Sequence, residues 1–186
     1  MPRVPLPRTT SRSSGSEGAL RLGFPGLRLT DSPQSRARAR ALRLLAARPR
    51  TEAQVLERLV RAGFAAEAEA VVAWLRDLRY LDDDAFARDR AALLVAPGRL
   101  GPRLAERRLV ASGIPRDAAR RAVREAVGEE ETARCRTLAE RRAGGPPGGL
   151  DDRGKARLSR FLLGRGFSGR VVSSVLGVYV DDVEDR

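Results

Sequence analysis

The chain has 186 residues, 42% of them hydrophobic but only 4% aromatic. Ala, Leu, Arg and Glu outweigh Val and Ile, which suits helices and argues against sheets. Its 36 basic and 24 acidic residues leave a formal charge of +12, and every basic residue except Lys155 is an arginine, so a polyanionic partner is expected. With no histidine and a single cysteine, Cys135, the chain has no means of building Ser-His or Cys-His nucleophilic sites, the common zinc ligand sets or an internal disulfide. An all-α protein that is not an enzyme, needs no cofactor and binds no metal is the expectation.

Residues 1–34 are rich in Pro, Ser, Gly and Arg and lack a 3.6-residue period, so they read as a disordered basic tail. They contain no apolar core of a secretory signal. Elsewhere no apolar run approaches the ~18 residues of a membrane span, so a cytoplasmic protein with no membrane partner is expected. From Ser35 the pattern turns helical, with Ala41, Leu42 and Leu45 on one face of a segment that ends before Pro49. Thr51 with Gln54 forms a capping box that opens a second helix carrying Val55, Leu56 and Leu59, and Gly63 ends it. A third helix carries Val71, Val72, Leu75 and Leu78 as a stripe, with Glu67 and Glu69 near its positive end. Tyr80 and Leu81 then lead to Asp82, the N-cap of a fourth helix with Ala85, Phe86, Leu93 and Leu94.

One local pattern recurs. Leu59 precedes Gly63-Phe64 by four residues, Leu109 precedes Gly113-Ile114 by four, and Leu162 precedes Gly166-Phe167 by four. The glycines are 50 and 53 residues apart, the longer interval including the glycine-rich stretch at 144–149. In each copy the glycine closes a helix and the next apolar residue folds back on it. The helix after Gly113 carries Ala118, Ala119, Ala122, Val123 and Ala126, and the one after Gly166 carries Val171, Val172, Val175 and Leu176. The predicted organisation is a tail at 1–34, three-helix repeats at 35–81, 82–127 and 128–178, and an acidic tail at 179–186. The repeats are expected to stack into an elongated, curved body.

The junction Arg79-Tyr80-Leu81-Asp82-Asp83-Asp84-Ala85-Phe86-Ala87 and the run from Gly101-Pro102-Arg103-Leu104 through Leu109 to Gly113-Ile114 resemble the RecX family. That family shows a Gly-Tyr-Leu-Asn/Asp-Asp-acid-x-Phe-Ala junction and a second repeat ending in Gly-Ile. The third unit is similar as well, in Lys155-Ala156-Arg157-Leu158-Ser159-Arg160-Phe161-Leu162 through Arg165-Gly166-Phe167. The resemblance covers about residues 37–177. Two departures stand out: Ala91 to Pro97 replaces a more basic and aromatic helix, and the stretch at 144–149 interrupts the third unit, whose first helix is expected to dock loosely.

The resemblance implies a monomeric regulator that lodges in the groove of the RecA–DNA filament. There it would restrain recombinase, ATPase and coprotease activities, with consequences for recombination, DNA repair and the SOS response. Single-stranded or double-stranded DNA would be a weaker or filament-associated partner. The residues chosen for contact lie on the middle helix of each unit: Arg58 and Arg61, then Arg103, Arg107 and Arg108, then Arg157, Arg160 and Arg165. Equivalent positions are expected to form a basic stripe.

Other candidates have plainer explanations. Asp82, Asp83 and Asp84 suit helix capping better than a metal, because three successive residues at a helix start cannot all face one ion. Lys155 and Ser159 are four apart by coincidence of helical spacing, and no Gly-rich phosphate loop precedes a Lys-Ser/Thr pair. Trp74 and Tyr80 are expected to pack rather than stack on bases, and Cys135 is expected to be a buried thiol. Two competing functions share the fold: a helix-turn-helix-like DNA regulator and a protein-binding helical scaffold. The first is poorly equipped, since the chain has no Asn and only Gln34 and Gln54 to read adenine edges.

Overall fold

The computed structural model describes residues 32–178; of the tail expected at 1–34, residues 1–31 lie outside the described residues, as does the acidic tail at 179–186, whereas Ser32 caps the first helix and Pro33 and Gln34 belong to it. Among the described residues there are nine α-helices and no strand. The first unit contains α1 (Pro33–Ala47), α2 (Glu52–Arg61) and α3 (Ala68–Asp77), and the second contains α4 (Asp83–Leu94), α5 (Pro102–Val110) and α6 (Arg116–Val127). The third contains α7 (Glu131–Ala143), α8 (Asp152–Gly164) and α9 (Gly169–Leu176). Helices pack chiefly within these triplets, and each triplet closes its own apolar core.

The cores are built from small side chains and a few large ones. Ala37 and Ala41 of α1 meet Val55, Leu59, Val71 and Leu75, all fully buried. In the second unit Ala87, Ala91, Ala105 and Ala119 surround Leu109 and Ile114, and in the third Cys135 and Ala139 pack with Leu162, Val172 and Leu176. Burying each large aliphatic side chain contributes about 1.5–3 kcal/mol, and the alanines let helices approach closely enough for that packing.

The apolar stripes read from sequence are shifted by part of a turn. Leu42, Leu78 and Leu93 are 39%, 50% and 55% exposed, while Ala37, Ala87 and Ala91 take the core-facing positions. Ser32 rather than a later residue caps α1, accepting a bond from the Ser35 N–H. The stretch at 144–149 does not loosen the third unit: Pro147 is buried in a short 3₁₀ turn, and α7 delivers Cys135, Leu138 and Ala139 to the core.

The repeated Leu-x-x-x-Gly-apolar step is a Schellman motif in all three copies. The N–H groups of Phe64, Ile114 and Phe167 donate to the carbonyls of Leu59, Leu109 and Leu162 at 3.0, 3.2 and 3.3 Å. The three glycines sit at φ of +86°, +92° and +94°. A fourth copy closes α3, where the Tyr80 N–H donates to the Leu75 carbonyl at 2.9 Å. Here Arg79 occupies the left-handed position at φ +58°, alone among the described non-glycine residues, at a cost of about 1 kcal/mol.

Candidate nucleic-acid and filament interface

The eight predicted arginines lie on α2, α5 and α8 or at their C-terminal ends, and those helices are joined start to end. The Thr51 hydroxyl, at the N-cap of α2, donates to the Ser112 carbonyl beyond the end of α5 at 2.6 Å. The next joint repeats the arrangement: the Gly101 and Arg103 N–H groups at the start of α5 donate to the Arg165 and Gly166 carbonyls beyond α8, at 2.8 and 3.0 Å. At the second joint backbone N–H groups left without partners at a helix start thereby satisfy carbonyls beyond the end of another helix, and at the first a capping hydroxyl does so. Close approach is enforced sterically. A Cβ at Gly113 would overlap the Cβ of Ala53, and one at Gly166 would overlap the Cβ and backbone nitrogen of Leu104. Gly63 has nothing near it and marks the end of the series.

Two further contacts clamp these joints. The Asp83 carboxylate accepts the Glu52 N–H at 2.9 Å, so the second acid of the Asp82-Asp83-Asp84 run caps α2 in the preceding unit. Asp82 caps its own helix by accepting the Ala85 N–H at 2.8 Å. Burial raises the Asp83 carboxyl above its ordinary range; the Glu52 N–H works against this, and the carboxylates of Glu52, Asp82 and Asp84 add to the rise. Between the second and third units, an Arg134 guanidinium N–H donates to the Val95 carbonyl at 2.7 Å.

The arginines do not share one register. Counting back from each glycine, Arg58 and Arg108 are equivalent, as are Arg107 and Arg160, but Arg61, Arg103, Arg157 and Arg165 have no arginine counterpart. Arg58, Arg108, Arg157 and Arg160 are exposed. Arg61 pairs with Glu57 at 2.6 Å on an open surface, a contact of at most about 1 kcal/mol. Arg103 is half-buried at the second joint, and both Arg103 and Arg107 have partners. Arg165 lies 5.1 Å from the centre of the Phe161 ring, which Arg142 also approaches at 5.4 Å. Several of these arginines have a local structural role besides: Arg58, Arg61, Arg107 and Arg108 fall in the last turns of their helices, where positive charge is favoured.

Tyr80 does not pack as expected; it is 60% exposed. Trp74 does pack against the first core, with the Arg38 guanidinium 4.7 Å from its ring centre. Cys135 is fully buried, and burial together with the nearby Glu131 carboxylate pushes its thiol to about 12. Sequence reasoning missed Asp83 and Arg79 as special positions. Arg79 had a signal, since it stands where the resembling pattern carries glycine, whereas the bond of Asp83 to a residue 31 positions away had none.

Models of the first and third three-helix domains of RecX match residues 37–75 and 129–176. A regulatory protein RecX from Leptothrix cholodnii is 37% identical over 149 residues, covering 79% of this chain and 91% of that protein. One from Thermus thermophilus is 38% identical over 133 residues, covering 72% and 84%. The crystal structure of RecX from Lactobacillus salivarius superposes with a TM-score of 0.70 at 20% identity, covering 78% of this chain and 95% of that one, a likeness of fold. With Schellman steps repeated in all three units and relatives aligned along most of its length, the chain belongs to the RecX family.

Proposed function

We propose that this RecX-family regulator binds the groove of the RecA–DNA filament and inhibits its recombinase, ATPase and coprotease activities, tempering recombination, repair and the SOS response. The observation that carries the reading is the start-to-end joining of α2, α5 and α8, three successive helices that each carry exposed arginines, with Arg58 and Arg108 at equivalent positions and Arg160 one residue out of step. Such spacing suits a partner that is itself a repeating, anionic polymer. The protein acts by affinity and shape as a cytoplasmic monomer, with no bond-making residue and no cofactor, and DNA is a weaker or filament-associated partner. No helix among the described residues is long and apolar enough to cross a membrane.

The test is RecA ATPase on single-stranded DNA with this protein titrated in; inhibition by stoichiometric protein is expected, and its absence refutes the proposal. Reversing the charges of Arg103, Arg107 and Arg108 together should weaken filament binding. Salt separates filament binding from bare DNA binding, since the latter should fall by orders of magnitude between roughly 50 and 200 mM. A sequence-reading role fits poorly: the outward side of α3 offers Glu69 and Asp77, and its Arg76 is paired with Glu52 at 3.3 Å.

A further inference from the structure

The described residues expose six large apolar side chains, and three of them, Leu42, Tyr80 and Leu93, line a single groove. This groove, about 1040 Å³ in volume, lies where α1 and the start of α2 face α4. Leu45 and Phe86, both half-buried, contribute further apolar wall. Around it stand Arg48, Arg50, Arg79 and Arg90, against only two acids, Asp82 and Asp89. Arg48, Arg79 and Arg90 make no ion pair among the described residues.

Three observations argue that the groove is shaped for an occupant. Arg79 holds a left-handed backbone that glycine would adopt without strain, and its charge sits at the groove because of that substitution. The Tyr80 that follows it stays open to solvent instead of folding back as Ile114 and Phe167 do. Finally, like charges are gathered in excess of the groove's two aspartates: Arg50, partly buried and donating to the Leu44 carbonyl, is further disfavoured by Arg48 and by Arg58 of the candidate interface. Arg58 and Gln54 share α2, so the groove runs into the surface already described.

We propose that this groove receives an acidic, amphipathic peptide segment of a protein partner, its apolar side chains seated on Leu42, Tyr80, Phe86 and Leu93 and its carboxylates meeting the surrounding arginines. The apolar wall of Leu42, Leu45, Phe86 and Leu93 favours an amphipathic peptide over a phosphate backbone, which has no apolar side chains to bury there, and four arginines against two aspartates leave the groove net positive toward the peptide's carboxylates. The inference rests on the function proposed above and names the chemistry that the filament's protein component presents to this chain.

The experiment uses the full chain and RecA filaments on single-stranded DNA. Leu93 and Arg90 are exposed, so Leu93→Glu and Arg90→Glu should fold, and each should weaken filament binding by about tenfold or more. Arg79→Gly should raise the unfolding midpoint while weakening binding, an opposition that a purely structural residue would not show. A photo-crosslinker at position 93 should attach to a RecA peptide in which acids flank apolar residues. Unchanged binding by the groove variants, or crosslinks to DNA, to a RecA segment without such acids, or to residues 179–186 of this chain, would overturn the groove proposal alone. Failure of the wild-type protein to bind the filament would overturn the proposed function and this inference with it.

Discussion

Replacing each repeat glycine by alanine separates backbone strain from inter-unit contact. Gly63, Gly113 and Gly166 share one backbone conformation, so a methyl group adds about 1 kcal/mol of left-handed strain at each. At Gly63 the added Cβ meets nothing, and G63A should cost only that amount. At Gly113 it collides with the Cβ of Ala53, and overpacking of this kind brings the total to about 2–4 kcal/mol. At Gly166 the collision includes the backbone nitrogen of Leu104, so relief requires opening the joint. That forfeits the bonds from Gly101 and Arg103, for a total of about 3–5 kcal/mol. Urea unfolding followed by far-UV circular dichroism measures all three. A second variant sharpens the test: A53G costs about 1 kcal/mol alone by helix propensity, yet it vacates the space that G113A needs. The double variant should therefore be more stable than the summed losses by about 1–2 kcal/mol, whereas A53G and G63A should be additive. Equal losses at the three glycines, or additivity of A53G with G113A, would refute the reasoning that units are locked by these approaches.

Thr51 is fully buried and serves two bonds, capping the Gln54 N–H and donating to the Ser112 carbonyl, so Thr51→Val should cost about 2–3 kcal/mol in urea unfolding. Thr51→Ser keeps both bonds and should lose far less; similar losses for the two would discount the hydroxyl. Because the folded state raises the Asp83 carboxyl above its ordinary 3.8, stability contributed by this group is present at low pH and declines as pH climbs through the folded value. Asp83→Asn keeps an acceptor for the Glu52 N–H without the charge. It should be more stable than wild type at neutral pH, with the advantage fading as pH falls through the raised folded value, and a pH-independent difference would count against this assignment. Cys135, with its thiol pushed to about 12, should resist iodoacetamide in the native protein and become reactive only as urea opens the third core; rapid native alkylation contradicts the buried placement.

What the sequence determined by itself was everything set by contacts within a turn or two of helix. The caps at Thr51 and Asp82 and the Leu-x-x-x-Gly-apolar steps are closed by bonds between residues no more than five apart, so their residue types and spacing suffice to read them. The all-α class follows from the same local preferences. The apolar stripes were legible only approximately, because the side of α1 or α4 that faces inward depends on how close its neighbours come. Alanine at 37, 41, 87 and 91 permits an approach that leaves Leu42 and Leu93 outside. Tertiary structure alone decided the rest. The bond from Thr51 to Ser112 spans 61 residues and that from Glu52 to Asp83 spans 31, distances over which no periodicity carries information. The first of those bonds joins the start of α2 to the end of α5, the second ties α2 to α4, and the packing they hold brings Arg48 and Arg50 to the same groove as Arg79 and Arg90. Charge and composition raise the expectation of an anionic partner; where on the surface that charge gathers beside apolar side chains was settled by packing between units.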